Sequence, residues 1–291
     1  MNDQKENPLS RDAGNKFVIV KVRQPLLLTR SDTEVWMLNP GVRYVMLSSQ
    51  LKVIADSLES VSDLSGSSKF RPLNGNCNLA GKSILVVRCA DRGIGDMLFM
   101  TGPMEYLRVI SGHTAVIDYY ALSDRAQVLL HNTALRSLTA LSGPVIYDSL
   151  DNYDYHWFVP TATEYDCEPD QLNVYDGLFN QIGVDHGSVK EEYKRPYAYT
   201  SSEDLRNLDS FFYFVYEQRQ LDLRRSRYAV VAPLSHGSLR TMPYQLWLGI
   251  IAELSKAIPV IVVGQITERM PQAGMSVGDF SSKLSALGNN V

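Results

Sequence analysis

The stretch SILVVRCADRGIGDMLFMTGPMEYLR, residues 83–108, decides the fold. Ile84, Leu85, Val86 and Val87 form an unbroken apolar run, the pattern of a parallel strand covered on both faces. A Gly-Ile-Gly-Asp turn follows, in which Gly93 and Gly95 let the backbone reverse, and then a helix. This order leaves Asp96 at the carboxyl edge of the strand, where open α/β sheets bind ligands. A carboxylate there can anchor a ligand or take a proton. Its plainer use is to stabilise the dipole of the helix it opens. Pro103 should kink a helix continuous from Gly95, because its ring removes the bond to the carbonyl of Phe99. The alternative is a fresh helical segment starting at Thr101 and Gly102.

Downstream, strand and helix signals alternate. Strands are expected at 115–119, 145–147, 156–159, 228–232 and 259–263. Helices are expected at 123–130, 134–141, 173–182 and 202–220. A further helix starts at Pro243 and carries Trp247, Ile250, Ile251 and Leu254 on one face. The alternation argues for parallel sheets in two α/β units. The second unit offers only two or three strands, fewer than the five or six usual in a doubly wound domain (about that number). It is expected to be a reduced half-domain or part of something longer.

Upstream, residues 1–15 are polar and expected to be a disordered tail. Residues 16–62 form a small β-rich module, with strands at 17–22, 33–38 and 42–47. A helix carrying Leu51, Ile54, Ala55 and Leu58 completes it. Residues 63–82 are rich in Ser, Gly and Asn and are expected to be a linker.

Composition narrows the classes. The chain has 291 residues, 45% of them hydrophobic and 21% charged, as in a soluble globular protein. A net charge of −4 argues against nucleic-acid binding. Cys77, Cys89 and Cys167 are odd in number and far apart, which suits reduced thiols in the cytoplasm. No apolar run reaches the ~18 residues of a membrane span, and the N-terminal residues lack the apolar stretch of a signal peptide.

The candidate sites carry alternatives. Residues 93–98 partly match the dinucleotide fingerprint, with Leu98 in place of its third glycine and Asp118 near the position of a ribose-binding acid. A tight turn with no ligand, and a nicotinamide site, are the competing readings. The second candidate is the loop 233–243, PLSHGSLRTMP. It sets Ser235, His236, Gly237, Ser238, Arg240 and Thr241 just ahead of a helix N-terminus, an arrangement suited to a phosphate or diphosphate. The alternative is a solvated loop before a capped helix. The group Arg219, Arg224, Arg225 and Arg227 is expected to be a solvated helix end, or else to steer an anionic substrate. Asp148, Asp151 and Asp154 are expected to be a solvated rim. The histidines lack metal-ligand spacing, and no metal site is expected. No phosphate-binding G-x-x-x-x-G-K-[ST] loop is present. The G-x-S-x-G match at 274–278 lacks both a preceding strand and a later histidine, and is coincidental.

Taken together, the two loops resemble the heptosyltransferase-like glycosyltransferases, glycosyltransferase family 9. Arg88, Gly95, Asp96, Thr101, Pro103 and Leu107 carry the resemblance. It continues through AVIDYY (115–120), LLHNTALRSL (129–138), Tyr153-Asp154 and LNVYDGLFNQIGV (172–184). It resumes in YAVVAPLSHGSLRTMPYQLWLGIIAEL (228–254) and PVIVVG (259–264).

The resemblance implies a GT-B fold: a Rossmann-like acceptor domain over 83–222 and a partial, Rossmann-like donor domain over 223–291, preceded by the β-rich module. It implies that Asp96 is the general base and that Arg88, Gly93 and Gly95 form the acceptor-side loop. Arg240 and its loop would hold the diphosphate of a nucleotide-sugar donor, in an inverting transfer that needs neither metal nor cofactor. The family's later donor loop would fall beyond Val291, so the chain looks truncated in the donor domain. Met242 stands where the family often has tryptophan, and residues 1–80 have no counterpart. The alternative is a non-catalytic scaffold for binding or assembly, of a phage or other particle, with residues 16–62 as a contact for a protein partner.

Overall fold

The computed structural model describes residues 16–31, 34–88, 94–121, 124–140, 143–159, 173–232 and 243–263. The chain divides into two units, Met1–Tyr199 and Thr200–Val291. The first contains β1 (Phe17–Val22), β2 (Leu26–Ser31), β3 (Glu34–Leu38), β4 (Arg43–Leu47), β5 (Leu58–Asp63) and β6 (Ser83–Arg88). Then come α1 (Ile94–Phe99), α2 (Thr101–Ile110), β7 (Val116–Ala121), β8 (Ser137–Ala140), β9 (Val145–Ile146), β10 (Tyr155–Val159) and α3 (Val174–Gln181).

At the centre is a parallel sheet in the order β10-β6-β7-β8. Winding runs one way from β6 through β7 to β8, then reverses, so that β10 lands on the other side of β6. This is the order of the first four strands of a Rossmann-like sheet. The crossovers change face at the same point. Met97, Met104, Leu107 and Leu129, from the first two crossovers, pack on the face that carries Ile84 and Val86. Val145, Tyr147 and Leu150, between β8 and β10, pack on the opposite face with Leu85 and Val87. Reversal of both direction and face is what right-handed crossovers require.

The second face is closed by strands, where an ordinary doubly wound sheet has helices. An antiparallel sheet, β5-β1-β4-β9, lies over it, and Val18, Val20 and Val22 of β1 alternate inward. The β2–β3 hairpin adds Trp36 and Leu38 to the same core. The crossover from β8 to β10 supplies β9, which pairs Val145 with Val45 and Ile146 with Tyr44. The β-rich module is therefore one layer of the first unit. Burying each of the four apolar residues of β6 contributes roughly 1.5–3 kcal/mol.

Several sequence expectations need correction. The helix expected after residue 48 is a pair of short 3-10 turns, Ser48–Val53 and Ala55–Ser57. Leu58 begins β5 instead, leaving too little chain for a packed helix. The helix expected at 134–141 is β8, which pairs Ser137 with Asp118 and Ala140 with Ala121. The helix expected at 123–130 is the 3-10 segment Asp124–Leu129. Residues 63–82 are more than a spacer, since Leu64, Leu73 and Leu79 are buried. Pro72 bridges His156 as a one-residue extension of the parallel sheet beyond β10.

The proline expectation resolves in favour of a fresh segment. Met100 separates α1 from α2, its N–H bonding the Met97 carbonyl at 3.1 Å. Pro103 then falls in the first turn of α2, where a missing N–H costs nothing.

The second unit contains α4 (Ser202–Arg219), β11 (Ala229–Val231), α5 (Tyr244–Ser255) and β12 (Val260–Val262). β11 and β12 pair in parallel with α5 as their crossover, one βαβ unit. Ser201 caps α4 by accepting from the Asp204 N–H at 3.0 Å, while the Asp204 carboxylate accepts from the Ser201 N–H at 2.7 Å. The division between the units, at Tyr199 and Thr200, falls just ahead of α4.

Candidate functional site at the carboxyl ends of β6 and β10

The winding reversal lies between β6 and β10, and ligands of open α/β sheets bind at the carboxyl ends of strands flanking such a point. Arg88 is the last residue of β6, flanked in register by Val159 on β10 and Ala121 on β7, and its side chain is buried. α1 begins shortly beyond, with Asp96 as its third residue. Gly95 is also helical, and a Cβ there would meet open space. Gly95 therefore serves no turn. Gly93 lies outside the described residues.

Three contacts hold α1 and the start of α2 in place. The Thr101 hydroxyl donates to the Leu98 carbonyl at 2.6 Å and accepts from the Tyr197 N–H at 2.7 Å. Gly102 lies directly beneath the backbone of 193–195, where a Cβ would press on the Tyr193 carbonyl and sit 2.8 Å from that of Arg195. The Tyr175 ring meets Phe99 edge to face at 5.6 Å. Burial, and to a lesser extent Tyr197, pushes the Tyr175 hydroxyl up to about 12. Lys194 closes the arrangement with a buried ion pair to Asp176 at 2.8 Å. Neither Lys194 nor Tyr197 stood out in the sequence, and Tyr175 did so only as one residue of the 172–184 segment. The dense tyrosines of 193–199 were the one available signal.

Other candidates resolve into structural roles. Asp118 sits inside β7, well short of its end at Ala121. Its carboxylate accepts from Arg136 Nε at 2.9 Å, from Arg136 Nη2, from Ser137 Oγ at 2.7 Å and from the Tyr153 hydroxyl at 3.0 Å. Burial would raise its pKa, but these donors outweigh burial and hold it below the usual carboxylate range. With its acceptor capacity used, Asp118 has none left for a ribose. The nicotinamide reading loses its acidic residue as well as its third glycine.

Asp148 pairs with Arg43 at 2.5 Å and Lys69 at 2.9 Å, and Asp151 pairs with Lys69 at 2.5 Å. Asp154 accepts from the Ser83 N–H and hydroxyl, each at 2.9 Å. Arg224 pairs with Asp209 and Arg225 with Asp222, which suits a solvated helix end. Among the described residues no group of three or more His, Cys, Asp or Glu could hold a metal ion. No described helix is long and apolar enough to cross a membrane. Ser235, His236, Gly237, Ser238, Arg240 and Thr241, together with the 274–278 match, lie outside the described residues.

Strand order and switch point define the first unit as a doubly wound α/β domain with one face covered by an antiparallel sheet. No protein-family profile matches the chain, and no curated protein does. Among solved structures it is similar to the glycosyl transferase family 9 protein from Veillonella parvula DSM 2008. Identity is 11%, coverage is 70% of this chain and 69% of that one, and the TM-score is 0.49.

Proposed function

We propose that the chain is a GT-B-type glycosyltransferase that moves a sugar from a nucleotide-sugar to a hydroxyl acceptor, with inversion and without metal or cofactor, in the cytoplasm. One observation carries the reading: the strand order puts the winding reversal at the carboxyl end of β6, and the Asp96 element follows that strand directly. The heptosyltransferase-like pattern of residues 83–264 supports it. In this reading Asp96 takes the acceptor hydroxyl proton as the oxygen attacks the anomeric carbon. The bond from that carbon to the nucleoside diphosphate breaks on the opposite side. Arg240, with the hydroxyls and N–H groups of its loop, stabilises the departing negative charge. Arg88 and the glycines Gly93 and Gly95 shape the acceptor side.

The test offers UDP-, GDP- and ADP-linked sugars to the full chain and measures released nucleoside diphosphate. Asp96→Asn is expected to lower turnover by roughly 10²–10⁴-fold with an unchanged circular dichroism spectrum. Unchanged turnover removes Asp96 as base. Absence of release with every donor favours the second reading, a non-catalytic binding scaffold. That reading draws on the added antiparallel sheet, for which the transfer reaction has no use.

A further inference from the structure

We propose that the antiparallel sheet, on the side that carries Ile19 and Lys21 of β1, holds a binding cleft for a neutral oligosaccharide. The cleft uses none of the residues of the transfer site, and the proposal stands whether or not the chain is a transferase.

A cleft of about 540 Å³ opens over β1, β4, β5 and the loop 66–68, within the usual range of small-molecule sites. Strand register organises its wall. Lys21 of β1 lies between Ser60 of β5 and Arg43 of β4, and Ile19 lies beside Ser62. Ser68 faces this row from the loop, as does Ser67, whose hydroxyl is bonded to that of Tyr147. Strand stability favours β-branched and aromatic residues. The short serine side chains on β5 instead leave the cleft open and line it with hydroxyls.

Charge decides the ligand class. Lys21 already faces Glu59 at 2.7 Å, and Arg43 faces Asp148 at 2.5 Å with its guanidinium over the Tyr147 ring. Asp63 adds a negative charge at the rim. There is no surplus positive charge to hold a phosphate or nucleotide. What the cleft offers is donors and acceptors side by side, in ion pairs and hydroxyls, the pattern that vicinal sugar hydroxyls satisfy.

A second cleft of about 310 Å³ shares Asp63 and is lined by Phe17, Phe70 and Phe158. The Phe158 ring meets Phe17 and Phe70 edge to face at 5.0 and 5.7 Å. A sugar ring has an apolar C–H face and a polar hydroxyl edge. Phe158 is buried, and the half-buried Phe17 and Phe70 leave ring surface beside the hydroxyl row, one surface for each side of the sugar.

The test is a glycan array of neutral and acidic oligosaccharides, followed by isothermal titration with the neutral glycan best retained, with no nucleotide-sugar present. The wild-type chain is expected to retain neutral glycans. Ser62→Trp, which fills the cleft from an exposed edge strand, should weaken retention at least tenfold, and Ser60→Trp should do the same where Ser62→Trp fails to fold. Asp96→Asn should bind as wild type does, so a failed transfer reaction leaves this result standing. No retention, retention of acidic glycans alone, or retention unaffected by both tryptophan variants overturns the proposal.

Discussion

His156 shows how a single buried group ties residue chemistry to the layering of the first unit. Nε2 donates to the Leu150 carbonyl at 2.9 Å, which leaves Nδ1 of the neutral ring to accept from the Arg71 N–H at 3.0 Å. The ring thus fastens residues 71–73 and the turn before β10 to the parallel sheet. Burial pushes its pKa below the ordinary histidine value, against the opposing pull of the Leu150 and Arg71 backbone groups. The unfolded chain takes up this proton near pH 6.5, whereas the folded chain resists until lower pH. The stabilisation is therefore complete above about pH 6.5 and is lost as pH falls through the folded value. Urea midpoints should drop between about pH 7 and 5 in the wild type, and the slope should flatten in His156→Gln. An identical slope in both proteins would show that His156 is not the group responsible. Asp118 makes a related point about identity and place: an acid in a fingerprint-like spacing proved to be a strut between β7, β8 and Tyr153.

Among the elements, α2 depends most on an absent side chain. Gly102 lets the 193–195 backbone lie directly on the helix, and a methyl group there must displace a carbonyl rather than a flexible side chain. Gly102→Ala is expected to destabilise the first unit by about 1–3 kcal/mol. Gly95→Ala, in α1 with open space around its Cβ, should be neutral or stabilising by up to about 1 kcal/mol. Urea unfolding of the two variants checks the pair, and equal effects would refute the close approach. At Pro103 the sequence left two readings, a kink or a fresh segment, because the proline acts locally through its own ring and missing N–H and either outcome satisfies it. β6 was legible because an unbroken apolar run has few other uses. β8 was not, because Ser137–Ala140 takes its conformation from pairing with β7, a partner outside any local window. The same holds for β9, two residues long and defined only by Tyr44 and Val45 across the chain. Near the candidate site, the packing of Phe99, Thr101 and Gly102 against Tyr175 and the 193–197 backbone was not legible, because it joins segments far apart in the chain.

At the scale of the molecule, the two units differ in how completely their strands are enclosed. In the first, β6 has a strand on each side, helices over one face and the antiparallel sheet over the other, and its apolar residues are fully buried. In the second, β11 and β12 have only each other among the described strands. Val230 remains 57% exposed, and α4 buries no residue. An isolated pair of strands is marginal in water, and opening free energies follow local burial. Amide hydrogen exchange should therefore be slowest at Val86 and Val87, and faster by at least about 10²-fold at Val230 and Ile261. Exchange followed by NMR on the full chain measures both sets in one sample. Equal protection would mean that both units share one stability. The expected inequality would instead make the first unit the rigid frame that fixes the carboxyl end of β6. Solution behaviour of the second unit would then be governed by whatever binds it, since ligand that binds only the ordered state stabilises that state by mass action.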